Sequence, residues 1–129
     1  MTTKDIGNLG EAAAAKFLKK QGFKILSRNV HISHNEIDII AYNKKLKLLA
    51  FAEVKTRSVE SDLYSKYGTP ASSVTLQKQK RTITAARNFL AQNSKFLGSM
   101  IRFDVVEIYI EKNTFEILKI NHIENAFGA

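Results

Sequence analysis

The run LKLLAFAEVKTR, residues 46–57, restricts the possible folds of this chain more than any other stretch. As a strand it is apolar on both faces through its middle, since Leu48, Ala50 and Ala52 alternate with Leu49 and Phe51. A strand of that kind needs cover above and below, which points to a sheet between helices. The run then changes character. Glu53 and Lys55, two residues apart and therefore on one face, follow a stretch suited to a protein interior.

The rest of the chain supplies what such a sheet needs. Residues 5–21 place Ile6, Ala13, Ala14, Phe17 and Leu18 on one arc of a helical wheel, with Lys16, Lys19 and Lys20 opposite. Gly22 is a stop signal, while Gly7 and Gly10 weaken the first turns. Strands are expected at 23–30, 36–42 and 46–57, with turns at 31–35 and 43–45. A second helix is expected over 74–92, with Leu76, Ile83, Ala86 and Leu90 on its apolar side, then strands at 101–110 and 115–123. The order αβββαββ predicts an α/β domain with a mixed sheet flanked by helices.

Between the third strand and the second helix, residues 58–73 have no period and contain the single proline. A loop of that length inside a compact domain is expected to be functional or mobile. The 129 residues fit one domain, residues 1–129, and no linker or repeat divides them. No apolar run approaches the ~20 residues of a membrane helix. The N-terminus has no apolar signal-peptide core, and without cysteine there are no disulfides or thiolate metal sites. A cytoplasmic location with no membrane partner is the expectation, mainly by elimination.

The net charge of +8 is unevenly distributed. From Leu63 to Phe103 there are seven basic residues (Lys66, Lys78, Lys80, Arg81, Arg87, Lys95 and Arg102) and no acid. This segment is either a solvated basic face or a surface that attracts polyanions. Lys66, Lys78, Lys80, Arg81 and Arg87 are the candidate nucleic-acid contacts. Tyr64 and Tyr67 beside Lys66 are candidate stacking platforms for unpaired bases, although packing on the surface is the commoner fate of a loop tyrosine.

The acids and lysine of the second and third strands form the chemical constellation. If their turn centres near Lys44 and Lys45, Glu53 lies opposite Glu36 and diagonal to Asp38. If it centres one residue later, Glu53 lies directly opposite Asp38, and an intermediate register would separate them. Two carboxylates a few ångströms apart repel, and a shared proton, a basic neighbour or a divalent cation relieves them. Mg²⁺ accepts one or two carboxylates plus water and phosphate oxygens, and Lys55 is then placed to orient a water or stabilise developing negative charge. Glu11, at the edge of the first helix's apolar arc, either turns towards the sheet or is a rim carboxylate held by a base. Lys78, at the buried edge of the second helix, is either a phosphate contact or a lysine reaching past apolar neighbours. His31 and His34 flank a turn too loosely to indicate zinc, and Arg102 with Asp104 reads as a structural ion pair.

The stretches GNLGEAAAAKFLKKQGFKILSRNV, NEIDIIAY, AFAEVKTRS and RFDVVEI together resemble the YraN family of small bacterial proteins, over nearly the whole chain. That family is similar to the restriction-endonuclease-like, or PD-(D/E)xK, superfamily, especially its archaeal Holliday-junction-resolvase branch. The resemblance implies a restriction-endonuclease-like core. It makes Glu11 the helical acid, Asp38 and Glu53 the metal ligands, Lys55 the motif lysine and the Val54 carbonyl a backbone ligand. Lys78 matches a basic position at the start of the following helix. Asn35 stands where relatives commonly have glycine, and Ala52 where they often have valine; neither change removes a charged group. The implied activity is a Mg²⁺-dependent DNA endonuclease, with Mn²⁺ as a substitute, acting on branched DNA; paired cuts would suit a homodimer. Two other readings stand beside it: a non-cleaving nucleic-acid-binding module of the same fold, and an interaction protein whose basic face docks an acidic partner.

Overall fold

The first helix begins earlier than its apolar period suggests, because Thr2 caps it. The Thr2 hydroxyl accepts from the Asp5 amide at 3.1 Å and Asp5 Oδ2 accepts from the Thr2 amide at 3.0 Å, a reciprocal capping box. The helix ends at Gly22, whose φ of +97° lies in the left-handed region, with the Phe23 amide returning to the Leu18 carbonyl. The computed structural model describes residues 2–32, 34–60 and 74–128. Their elements run α1 (Thr3–Lys20), β1 (Lys24–Ile32), β2 (Asn35–Asn43), β3 (Leu48–Val59), α2 (Leu76–Gln92), a 3₁₀ turn (Ser94–Phe96), β4 (Met100–Glu111) and β5 (Ile117–Phe127).

The strands lie in chain order, β1-β2-β3-β4-β5. β3 and β4 are parallel, paired from Leu48↔Met100 to Val59↔Glu111, and every other pair is antiparallel. The sheet is therefore mixed, with α2 in the crossover between its two central strands. The alternation in β3 sorts the core. Leu48, Ala50 and Ala52 pack with Ala14, Ala15 and Leu18 of α1, while Leu49 and Phe51 pack with Ala85 and Ala86 of α2. This is the α/β arrangement that the doubly apolar strand requires. Among the described residues no helix is long and apolar enough to cross a membrane.

Several boundaries differ from the sequence expectation, the last strand among them, which runs over Ile117–Phe127 rather than 115–123. β1 continues through His31 and Ile32, so the first turn is shorter than 31–35. The second turn comprises residues 44–47 rather than 43–45, because Asn43 still pairs with Leu48 and its Oδ1 accepts from the Leu46 amide at 3.1 Å. β3 runs on to Val59, which is buried and accepts from the Lys112 amide at 2.7 Å, so residues 58 and 59 are strand rather than loop. Gly10 does not merely weaken α1. It is buried, and a Cβ there would collide with the Thr56 side chain, so glycine is what lets the helix approach β3. Residues 61–73, with Tyr64, Lys66 and Tyr67, lie outside the described residues.

Candidate active site

The register of β2 and β3 decides which acids meet. The pairs run from Asn43↔Leu48 to Ile39↔Ala52, so the next position along sets Asp38 against Glu53, the later of the two turn centres. Asn29 of β1 lies beside this point with a φ of +54°. Here the alternation of faces breaks, since Ile39 packs in the α1 layer and Ile37 in the α2 layer. Asp38, between them, lies where the pairing of β2 with β3 stops. Its Oδ2 accepts from the Val54 amide at 2.8 Å, which fixes the carboxylate across the two strands.

Glu53 is the buried partner, its side chain only 8% exposed. Burial, and then the negative charge of Asp38, push its pKa up to about 7, against the opposing pull of Lys78 and Lys55. A hydrogen bond to Asp38 adds to the rise. Lys55 Nζ lies 3.9 Å from Glu53 Oε1 and Lys78 Nζ 3.7 Å from Oε2. Lys78 thus reaches from the first turn of α2 to the acid of β3, and both lysines remain partly exposed. The structure therefore brings Asp38, Glu53, Lys55 and Lys78 together.

The other expected residues take separate positions. Glu11 accepts from Arg28 Nε at 3.2 Å, the rim pairing with a base, though that base is an arginine. It nevertheless lines a cleft of about 440 Å³ on the α1 side together with Asn8, Asn29, Asp38, Val54 and Thr56. Glu36 does not join Asp38; it is exposed and sits 3.5 Å from His31 Nδ1. Arg81 adjoins Lys78, whereas Lys80 and Arg87 line a different groove further along α2. Lys66 is outside the described residues.

Two of the buried acids, Asp104 and Glu107, carry more than the sequence indicates. Asp104 does pair with Arg102, through Nε at 2.8 Å and Nη2 at 2.9 Å. It also meets His122 Nε2 at 2.8 Å and accepts from the Asn125 amide at 3.0 Å. Glu107 was not singled out. It is fully buried opposite Lys55, its Oε2 accepts from Arg57 Nε at 3.0 Å, and its Oε1 has no hydrogen-bond partner among the described residues. Burial, and next a hydrogen bond to Glu107, push the Tyr109 hydroxyl up to about 12. The available signal was a lone acid inside VVEIYI, a run otherwise suited to a central strand.

The arrangement can do two things chemically. The paired carboxylates, with hard oxygen donors at a cleft, suit a cation of the Mg²⁺ type, which needs only one or two protein carboxylates. Among the described residues no group of three or more histidine or acid side chains converges, so a zinc-like site does not fit. The flanking ammonium groups suit the oxygens of a phosphodiester.

Comparison with known proteins covers this region. The model of the uncharacterised protein family UPF0102 matches residues 10–108, a span holding Glu11, Asp38, Glu53, Lys55 and Lys78. A UPF0102 protein of Caldicellulosiruptor saccharolyticus is 42% identical over 127 residues, covering 98% of this chain and 100% of its own length. One from Caldanaerobacter subterraneus is 37% identical over 124 residues, covering 96% and 95%. One from Chloroherpeton thalassium is 47% identical over 107 residues, covering 83% and 77%.

Proposed function

This chain belongs to the UPF0102 (YraN) family, and we propose that it is a Mg²⁺-dependent DNA endonuclease that hydrolyses phosphodiester bonds, with a preference for branched DNA. One observation carries the reading: two carboxylates are held against each other, at the cost of a Glu53 pKa near 7, with two lysines within 4 Å. A carboxyl shifted by burial and a specific charge partner, beside a cleft, marks a functional-site candidate.

The residues present fit the ion. Asp38 and Glu53 would hold it, with the Val54 carbonyl as the backbone ligand, and Mn²⁺ would serve in its place. When bound, the cation supplies Lewis acidity at the phosphoryl oxygen and lowers the pKa of its water. The Val54 amide keeps Asp38 oriented across the strands. Lys55, on the same strand face as Glu53, orients the attacking water and stabilises charge developing on the phosphorus oxygens. Lys78 holds the phosphate from the α2 side. Glu11, tethered by Arg28, borders the cleft on the other side. Paired cuts on a four-way junction would use two copies of this site, hence a homodimer.

A second reading, a non-cleaving DNA-binding module of the same fold, draws on the same distances. Lys55 and Lys78 already offset the charge of Glu53 without a cation. Incubation with Mg²⁺ and a panel of linear, nicked, flapped and four-way DNA separates the two. The expected result is cleavage of the branched substrates by the wild type and none by Asp38→Ala or Glu53→Ala. Lys55→Ala should slow turnover by about 10²–10³-fold while leaving Mg²⁺ affinity largely intact. Salt-sensitive DNA binding without cleavage by the wild type would establish the module instead.

A further inference from the structure

A second, smaller cavity lies on the α2 side of the carboxylate pair. Its volume is about 190 Å³, and His31, His34, Asn35, Glu36, Lys78 and Arg81 line it. Lys78 belongs both to this cavity and to the Glu53 ion pair, so the cavity shares a wall with the candidate active site. The larger cleft reaches the carboxylate pair from the α1 side through Asp38, with Val54 beside it. Asp38 thus borders the larger hollow, and Lys78, the ion-pair partner of Glu53, borders the smaller one.

The lining of the smaller hollow is suited to an anion. Arg81 is exposed and has no ion-pair partner among the described residues, so its guanidinium is free to fork onto two phosphate oxygens. The two imidazoles add ring N–H donors. His34 is held at the turn between β1 and β2 with a φ of +69°, and His31 comes from the end of β1. Glu36 is the one acid on the wall, 3.5 Å from His31 Nδ1. Glu36 and Asp38 are two strand residues apart, about 7 Å, which is of the order of the step between neighbouring phosphates on an extended strand.

We propose that the cavity of His31, His34, Lys78 and Arg81 is a subsite for a non-scissile phosphate of the nucleic-acid strand, one nucleotide step from the bond at Asp38 and Glu53. This deepens the endonuclease reading and rests on it for the position of the scissile bond. The occupant is a phosphodiester rather than an acidic peptide, because Lys78 joins this hollow to Glu53 and Asp38 opens on the larger cleft, so a chain of phosphates would meet a cation and then the carboxylate pair. Lys78 serves both steps, contacting the flanking phosphate on one side and Glu53 on the other. Glu36 limits the affinity, so that the strand is released.

The chain has three histidines, and the third, His122, sits far across the sheet against Asp104, so it is an internal control. Imidazole NMR signals are followed while a short oligothymidine is added to the full chain in EDTA, where no cleavage occurs. The expected result is that His31 and His34 move together and His122 does not. Arg81→Ala should weaken the titration and lower the salt slope by about 0.7, and Glu36→Gln should tighten it. The subsite is overturned if the oligonucleotide binds without moving His31 and His34, if Arg81→Ala leaves the titration unchanged, or if a poly-glutamate peptide moves these signals and the oligonucleotide does not. Histidine shifts in a protein that never cuts DNA would keep the subsite and remove the nuclease. Cleavage without the shifts would do the reverse.

Discussion

Glu53 and Asp104 are both acids buried within one sheet, and their surroundings treat them in opposite ways. Burial pushes both pKa values up. At Asp104 the effect is overcome by hydrogen bonds from His122, Arg102 and the Asn125 amide, so its carboxyl ends below the usual range. At Glu53 the next largest influence is the like charge of Asp38, and the nearest cations stand 3.7 and 3.9 Å away, beyond hydrogen-bond distance. Asp104 is a completed network that joins β4 to β5. Glu53 is an incomplete one, and its deficit is what a cation or proton would fill. The difference shows how one sheet can satisfy one buried acid fully and leave another under like-charge repulsion.

The largest test of that contrast removes the satisfied acid. Asp104→Ala leaves Arg102, His122 and a backbone amide buried without their acceptor, and should lower stability by about 3–5 kcal/mol in urea unfolding. If it costs no more than a surface substitution, Asp104 is not the structural member of the pair. Glu53→Gln should have the opposite sign. Between pH 4.5 and about 7 the folded chain keeps a proton on Glu53 that the unfolded chain has released, so stability falls as pH rises through that window. The loss is up to about 3 kcal/mol, and Glu53→Gln should abolish it and be the more stable form at about pH 8. A pH–stability curve with the same slope for both proteins would contradict the raised pKa. The smallest effect concerns the ion itself. At a tenfold excess over its Kd, Mg²⁺ should add about 1.4 kcal/mol of stability to the wild type. It should add nothing to Glu53→Gln, and Asp104→Asn should retain the gain.

Much of this architecture was legible before any coordinates. The doubly apolar run 48–52 demanded helices on both faces, and they are there. The spacing of Asp38, Glu53 and Lys55 allowed a common locus if the turn fell at either of two places. Which place it took was not legible. Asn43 is polar yet buried and paired as strand, and the Lys44–Lys47 segment closes the hairpin one residue later than its composition suggests. The first helix carried its own start signal, Thr2 with Asp5, outside the apolar period used to find the helix. The pairings Glu11–Arg28, Arg57–Glu107 and Asp104–His122 join residues that are 17, 50 and 18 positions apart in the chain, so no local period reports them.

The amino-acid order alone determined the alternation of helix and strand, the burial of the third strand on both faces, and the presence of acids and a lysine at its charged end. These are local matters, because a side chain's direction along a strand or helix repeats every two or 3.6 residues. Only the packed chain decided that Asp38 lies where the pairing of β2 with β3 stops, beside the left-handed Asn29, that Lys78 arrives from another element, and that Glu53 titrates near neutrality. Desolvation and charge repulsion depend on distance through space, and distance is set when the sheet closes between its helices.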